Sequence, residues 1–347
     1  MRVAVIGGGV VGLSATVALL RRGIDVRCYE PGIPMGERSV GDTRIFRLAH
    51  AYPDMVELAA RARTLFSEWS ELAGAALVDE TGTVVSGAGA REWAAAMAAA
   101  GAAHELVEPG SSLLRLPATT FAGPALVDPA GGVIRVDRIR SFLVAGAGNR
   151  LRQARVDALE ETIAGVRVVS GPDADTFDTA LICAGAGTSA LAAGVGIDTP
   201  SALEHHLRVS FPIRPGAPEP LQCWITGESA GVLGTYQHRA AEGSWAVGGE
   251  IGAALVGWEG GRQAAERASL EVLTAYVAEH LPFVEPRPVA TVYCAHHPDL
   301  GDGLRFVRRG RILAMYGENL MKFAPLLGET LAVACADGST PGNAGPS

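Results

Sequence analysis

Two stretches of the chain hold residues whose types and spacing suit chemistry. Near the start, Gly7-x-Gly9-x-x-Gly12 follows an apolar run, and Glu30 lies 18 residues past Gly12. Near the other end, "YGENLMKF" carries Lys322, the single lysine in a chain whose 28 other cationic side chains are arginine. The glycines suit a phosphate. Gly7 permits a tight turn, Gly9 lets backbone approach a pyrophosphate, and Gly12 lets helix and strand pack closely. The helix that follows would offer unpaired N–H groups and a partial positive charge to the anion. Glu30, at a strand tip, could accept hydrogen bonds from a ribose diol. The lone ammonium, set between Met321 and Phe323, suits the lip of a site better than a solvated surface.

The elements needed to position these residues can be read from periodicity. Arg2–Ile6 is a short apolar strand, Leu13–Arg22 has helical spacing, and Val26–Tyr29 is a second strand, which makes a parallel βαβ start. Helices are expected over residues 51–74, 91–100 and 264–281. A further helix follows Val136, capped by Asp137. Two strands are expected around Glu80-Thr81-Gly82. Others are expected over 166–170, 179–183, 205–213, 231–237, 245–251, 291–294, 304–307 and 312–316. Pro325-Leu326-Leu327-Gly328 reads as a turn. The strand Thr179–Cys183 runs into Ala184-Gly185-Ala186-Gly187, a strand–glycine element of the kind that closes over FAD in flavoproteins. No second glycine motif with its acid appears for a nicotinamide, so flavin alone is the better reading.

Nucleotide-type elements at both ends with β-rich material between them predict an α/β chain of two domains. A Rossmann-like FAD-binding domain would span 1–76, 132–203 and 295–337. An inserted antiparallel-sheet substrate domain would span 77–131 and 204–294. Residues 338–347, rich in Gly, Pro and Ser, are expected to be a disordered tail. The 347 residues, 48% apolar and 19% charged, can bury a large core. Net charge −8 and a pI near 5.5 argue against nucleic acid or an anionic membrane as partner. Five scattered cysteines without CxxC spacing suggest a reducing compartment and no metal site. The apolar stretch to Leu20 has some signal-peptide character. Its glycines, the following Arg21-Arg22 and the lack of a small-residue cleavage site instead predict a folded motif and a cytoplasmic protein.

These residues resemble the flavin-dependent amine oxidases of the sarcosine oxidase family, across nearly the whole chain. The N-terminal glycines with Glu30, "GDTRIFR" (41–47), "VATVYCAHHPDLGDGLRFV" around Cys294, and "YGENLMKF" carry the resemblance. "APLLG" and "DPAGGVIRV" (128–136) point toward the picolinate-forming branch. The resemblance implies that Thr43 and Arg44 lie beside the flavin and its diphosphate. It implies that Cys294 binds the ring's 8α-methyl carbon covalently, that Arg47 and Lys322 hold a substrate carboxylate, and that Lys322 also contacts the flavin and stabilises its anionic reduced form. Ser39, Val156, Ala184, Gly185 and Gly317 join Gly7, Gly9, Gly12 and Glu30 as cofactor contacts. Glu250 falls where a polar catalytic residue stands and could take an ammonium proton, or else pair with an arginine. His296 replaces a usual tyrosine and suggests an altered substrate pocket.

One departure concerns oxygen. Ala246 falls where many relatives carry a second lysine that promotes reoxidation, so Arg239, His238 or Lys322 would have to supply the charge, or oxygen is not the acceptor. The expected activity is FAD-dependent oxidation of an amine C–N bond, on a secondary or cyclic amino acid, with O2 as acceptor. The alternatives are an amine dehydrogenase with a carrier acceptor, an NAD(P)H-dependent flavin hydroxylase and a flavin-binding scaffold. His205 and His206 are as readily strand-edge residues as ligands.

Overall fold

The computed structural model describes residues 1–228, 232–298 and 300–346. These residues form two compact units: 1–40, 138–203 and 296–347 make the first, and 41–137 and 204–295 the second.

The first unit is built on a six-stranded sheet. Its strands are β1 (Arg2–Ile6), β2 (Asp25–Glu30), β9 (Leu151–Gln153), β13 (Thr179–Ile182), β19 (Leu304–Arg309) and β20 (Ile312–Gly317), in the order β19-β20-β13-β1-β2-β9. Strands buried on both faces read as continuous apolar runs. "VAVI" in β1 and "TALI" in β13 are buried throughout, and they pair in parallel with Val3 opposite Thr179. Only the β19–β20 hairpin is antiparallel. A three-stranded sheet of β10 (Ala158–Thr162), β11 (Gly165–Ser170) and β12 (Asp173–Phe177) adjoins it in this unit. Val166, Val168 and Phe177 share one core cluster with Ala4, Ile6 and Ile182.

Helix α1 (Val10–Arg21) starts directly after the glycine turn and packs on α8 (Ala324–Asp337). The expected turn at 325–328 is instead the opening of α8. Proline in a helix's first turn, as at Pro325, loses no needed N–H. A Cβ at Gly328 would sit 2.8 Å from the Ser14 carbonyl oxygen, so that glycine allows close helix contact. Helices α4 (Val136–Ala147) and α5 (Thr188–Gly194) complete the unit, with Asp137 inside the first turn of α4 rather than ahead of it as a cap. After α8 the chain returns along β19. Leu304 and Ala344 exchange backbone hydrogen bonds of 2.9 and 3.1 Å, and the Phe306 N–H donates to Asn343.

The second unit contains an eight-stranded sheet in the order β18-β14-β17-β16-β15-β5-β7-β6. The strands are β5 (Thr83–Ser86), β6 (Glu105–Val107), β7 (Ala125–Asp128), β14 (Glu204–Pro212), β15 (Cys223–Thr226), β16 (Thr235–Arg239), β17 (Ser244–Gly249) and β18 (Ala290–His296). The expected start of β16 at Gly231 lies outside the described residues. Strands β3 (Thr43–Phe46), β4 (Val78–Asp79) and β8 (Gly132–Arg135) form a smaller sheet, with Thr43 opposite Arg135. That pairing places residues 41–76, including α2 (Pro53–Ala73), in this unit rather than in the first. Helices α3 (Ala90–Ala99), α6 (Ala253–Val256) and α7 (Arg262–His280) also belong here.

Side chains alternate across a strand, so register sorts them into two faces. On one face Leu207, Val209 and Phe211 of β14 and Trp245 and Val247 of β17 join Leu273 and Val277 of α7 in an apolar core. Ser210 and His238 both lie opposite Ala246, and Tyr236 lies opposite Gly248. The other face therefore carries His206, Arg208 and Ser210 alongside Tyr236 and His238. A half-polar face of this kind, backed by a dry core, is where a site can be built.

Candidate functional site

In the first unit, the glycine turn is fixed by backbone contact. Gly7 has φ +109°, and a Cβ there would lie 2.4 Å from the Cys183 carbonyl oxygen. A Cβ at Gly12 would lie 1.9 Å from the Gly7 carbonyl oxygen. Gly9 differs, because a Cβ there would meet only Ser39 Oγ, at 3.5 Å. Gly9 is also the N-cap of α1, it brings no capping side chain, and the first turn holds no acid. The Val10 N–H donates to Ser39 Oγ at 3.0 Å. Glu30 accepts from the Gly8 N–H at 2.8 Å and the Gly32 N–H at 2.9 Å. It lines a cleft of about 310 Å³ with Gly32, Ile33, Pro34, Leu151 and Gln153. Ala184 and Gly185 follow β13 against Gly7, whose added Cβ would reach Ala184 Cα at 2.9 Å. Val156 is buried in the apolar cluster with Ala4 and Tyr29.

Lys322 lies in the same unit, in a short 3-10 turn (Leu320–Phe323) after β20, only 3% exposed. Its Nζ donates to Asp302 Oδ1 at 3.1 Å, and Asn319 Nδ2 donates to the same oxygen at 2.8 Å. The lysine is thus a buried cation with a carboxylate partner, which the sequence reading did not foresee. Gly317 ends β20, where a Cβ would stand 2.3 Å from the Gly303 carbonyl oxygen. Beside it, Glu318 accepts from the His297 N–H at 2.8 Å and pairs with Arg38. His296, half-buried, ends β18.

In the second unit, Thr43, Arg44 and Cys294 come together on the polar face of the large sheet. Thr43 Oγ1 is 3.1 Å from His238 Nε2, and His238 is fully buried with Nδ1 lacking a hydrogen-bond partner. Burial, reinforced by the charges of Arg208 and Arg44, pushes the His238 imidazole well below its ordinary value, so it is neutral. Burial and the like charge of Arg208 pull Arg44 down to about 9, against the opposing pull of Cys294, Tyr236 and Asp42. Burial lowers Arg208 as well. Cys294 Sγ lies 3.5 Å from His206 Nδ1. Ala246, buried between Ser210 and His238, leaves no cation of its own on β17. Of the charges considered in its place, His238 is neutral and Arg239 pairs at the surface with Glu219, 2.6 Å away.

Arg47 enters a different cluster of this unit. It is 7% exposed, donates to the Ala49 carbonyl, lies 3.1 Å from His50 Nδ1 and sits 4.7 Å above the Trp93 ring. Asp128 nearby accepts the Leu48 and Ala49 N–H groups at 2.5 and 3.1 Å. Burial raises its pKa, opposed by those bonds and by the Arg47 charge. Glu250 follows β17 and is exposed. The sequence reading missed Arg208, Tyr236 and Asp302; strand register would have found the first two had the face of β14 been known. Among the described residues, no three His, Cys, Asp or Glu side chains gather as metal ligands, and no helix is long and apolar enough to cross a membrane.

The profile of one protein family, DAO: FAD dependent oxidoreductase, matches residues 2–334. The chain belongs to that family. The fold of this DAO-family oxidoreductase is shared with NikD, described as an unusual amino acid oxidase essential for nikkomycin biosynthesis. The TM-score is 0.83 at 19% identity, covering 97% of this chain and 94% of that one. L-proline dehydrogenase from P. horikoshii matches with TM-score 0.79 at 17% identity, over 97% and 93% of the two chains. Glycine oxidase from Geobacillus kaustophilus matches with TM-score 0.72 at 18% identity, over 96% and 94%. No curated protein sequence matches.

The residues present fit FAD. The N-terminus of α1, with no acid in its first turn, its first N–H bonded to the neutral Ser39 hydroxyl and its backbone open at Gly9, accepts a diphosphate. The cleft at Glu30 has room for a nucleoside. Two of the three motif glycines are needed by the protein's own backbone, and Gly9 is left for the ligand.

Proposed function

We propose that the protein oxidises the carbon–nitrogen bond of an amino acid, a secondary or cyclic one, to an imine, with dioxygen as electron acceptor. FAD supplies the two-electron acceptor. The chain's own residues bind and orient. Lys322 and Arg47 are each assigned to the substrate carboxylate, and Cys294 to covalent attachment of the flavin. The observation that carries the amino-acid reading is Lys322: the only lysine in the chain is held 3% exposed. In the protein alone that charge is matched by Asp302 at 3.1 Å; a substrate carboxylate is assigned to the same ammonium because it accepts charge-assisted bonds from it. Arg47, buried over Trp93, offers a planar guanidinium suited to the same group. Glu250 is assigned to the ammonium proton, since only a neutral amine releases hydride. His296 is assigned to shaping the pocket.

Support for dioxygen as acceptor comes from Arg44 and Arg208, which put positive charge on the face where Ala246 stands. A carrier-linked dehydrogenase is the second reading, favoured by Ala246 itself. Titration with picolinate, followed by the flavin spectrum, tests the carboxylate assignment. Arg47→Ala and Lys322→Met should each weaken binding by about 2–4 kcal/mol, the scale for truncating one partner of a buried charge pair. Pyridine, which lacks the carboxylate, should bind all three proteins alike. Equal picolinate affinity in wild type and both variants would exclude the assignment.

A further inference from the structure

Resting on the assignment of Lys322 to the substrate carboxylate, we infer that Asp302 holds that carboxylate's place in the substrate-free protein. Asn319 is the second donor that the two anions share. Substrate binds by exchange, and Asp302 sets how tightly.

Two donors converge on one oxygen. Lys322 Nζ lies 3.1 Å from Asp302 Oδ1, and Asn319 Nδ2 lies 2.8 Å from the same atom. An ammonium and an amide aimed at one point make a cradle for a single carboxylate oxygen. An amino-acid carboxylate offers the same acceptor with the same charge. Asn319 reaches this position at a cost to its backbone. Its φ of +53° is a left-handed conformation that favours glycine, so an amide side chain stands where no side chain would be easiest.

Burial decides which partner moves. The Lys322 side chain is 4% exposed, whereas that of Asp302 is 19% exposed. Lys322 is set in a turn whose Met321 and Phe323 are also buried, with Nζ 5.2 Å from the centre of the Phe323 ring. Asp302 stands near the tip of a tight turn. There the Gly303 N–H donates to the Leu300 carbonyl at 3.0 Å, and Gly301 has φ +52°. Backbone closes that turn, so rotation about the aspartate's own side-chain bonds takes the carboxylate toward water and leaves the turn intact.

A buried ammonium stripped of its anion is costly. Exchange avoids that state, because the arriving carboxylate takes over the bonds from Lys322 and Asn319 as Asp302 turns to solvent. Two consequences follow for recognition. The substrate carboxylate must compete with an internal anion, so it binds more weakly than the cradle alone would allow. A ligand without an anion cannot complete the exchange, so the Asp302–Lys322 pair stays closed against uncharged amines.

The test uses full-length, FAD-loaded protein titrated with picolinate and followed by the flavin spectrum. Asp302→Ala removes the rival and should tighten picolinate by roughly 2- to 150-fold, the range of coupling within one ion-pair network. Asp302→Asn, which keeps the side chain's shape and drops its charge, should act in the same direction and covers an alanine variant that fails to fold. Asn319→Gly in the Asp302→Ala background should weaken picolinate about 10- to 150-fold, as for a lost bond to a charged group. In the wild-type background it should cost far less, because both anions lose the donor. Affinity unchanged or weakened in the Asp302 variants, with Lys322→Met still weakening it, overturns the exchange and leaves the carboxylate assignment standing. If Lys322→Met changes nothing either, the assignment itself falls. Equal affinity of Asp302→Ala with and without Asn319→Gly removes Asn319 from the cradle. A second readout needs no flavin signal. Lys322 is the only lysine, so acetic anhydride labelling of its peptide, read by mass spectrometry, reports on this ammonium. Half-protection should come at lower picolinate in Asp302→Ala than in wild type, and equal protection refutes the exchange.

Discussion

Replacing Gly9 with alanine adds one methyl group at a position that the fold leaves open. Gly9 has φ −72° and ψ 179°, which any residue adopts, and the new Cβ would meet only Ser39 Oγ at 3.5 Å. Alanine restricts the unfolded chain, a gain of about 0.4–1 kcal/mol, but it is a poorer N-cap than glycine by a similar amount, so stability should change by less than about 1 kcal/mol. The ligand should notice, because the methyl holds a diphosphate away from the first N–H groups of α1. Losing one bond to a charged group costs about 1.5–3 kcal/mol, or roughly 10- to 150-fold in Kd. Gly12→Ala should behave in the opposite way. Its Cβ would stand 1.9 Å from the Gly7 carbonyl oxygen, so the fold itself yields, at about 1–3 kcal/mol or more for overpacking. Both are made in a Cys294→Ser background, so that FAD binds reversibly. Denaturant unfolding of flavin-free protein gives the stability, and fluorescence titration gives the affinity. A Gly9→Ala protein that binds FAD as tightly as its parent would refute the assignment of Gly9 to the phosphates.

Other outcomes follow from the same geometry. Cys294→Ala should release all flavin into the supernatant on acid precipitation, whereas the wild-type pellet should stay yellow. Lys322→Met should destabilise the protein by stranding Asp302, and Asp302→Asn should recover part of the loss; a cycle of the four proteins should give a coupling of about 0.5–3 kcal/mol by denaturant unfolding. His238 supplies a pH prediction. Its folded pKa is depressed, so below about 6.5 the unfolded chain binds a proton that the folded chain refuses. Stability should therefore fall as pH drops from 7 to 5, with a limiting slope of about 1.4 kcal/mol per pH unit. His238→Gln should flatten that slope.

What could be read from the sequence was what is local along the chain. Gly7, Gly9, Gly12 and Glu30 fall within one βαβ unit, so spacing alone predicts their neighbours, and the structure puts Glu30 against Gly8. The strands with long apolar runs, such as β1, β2, β13, β14, β17 and β20, were legible, whereas the short or polar β3, β6, β9, β10, β12 and β15 were not. The Asp302 partner of Lys322 was hidden because the β19–β20 hairpin lies between the two in sequence. Arg208 and Tyr236 were hidden for a different reason. "EHHLRVS" reads equally well with either face inward until the register to β17 is known. Residues 41–76 and 132–137 sounded like part of the first unit, but Thr43 pairs with Arg135 and Ile134 pairs with Val78, which ties both stretches to the second. Pro325 and Gly328 looked like a turn because both residues serve turns, and only the contact with Ser14 shows why a helix uses them.

The measurement that bears most directly on the account is anaerobic reduction of the bound flavin. The yellow protein is mixed, without oxygen, with N-methylated, cyclic and primary amino acids, their decarboxylated analogues, and NADH or NADPH. The account predicts bleaching by a secondary or cyclic amino acid, none by its decarboxylated analogue or by the nicotinamides, and rapid return of colour in air. Bleaching by NADH or NADPH while every amino acid leaves the flavin oxidised would contradict it.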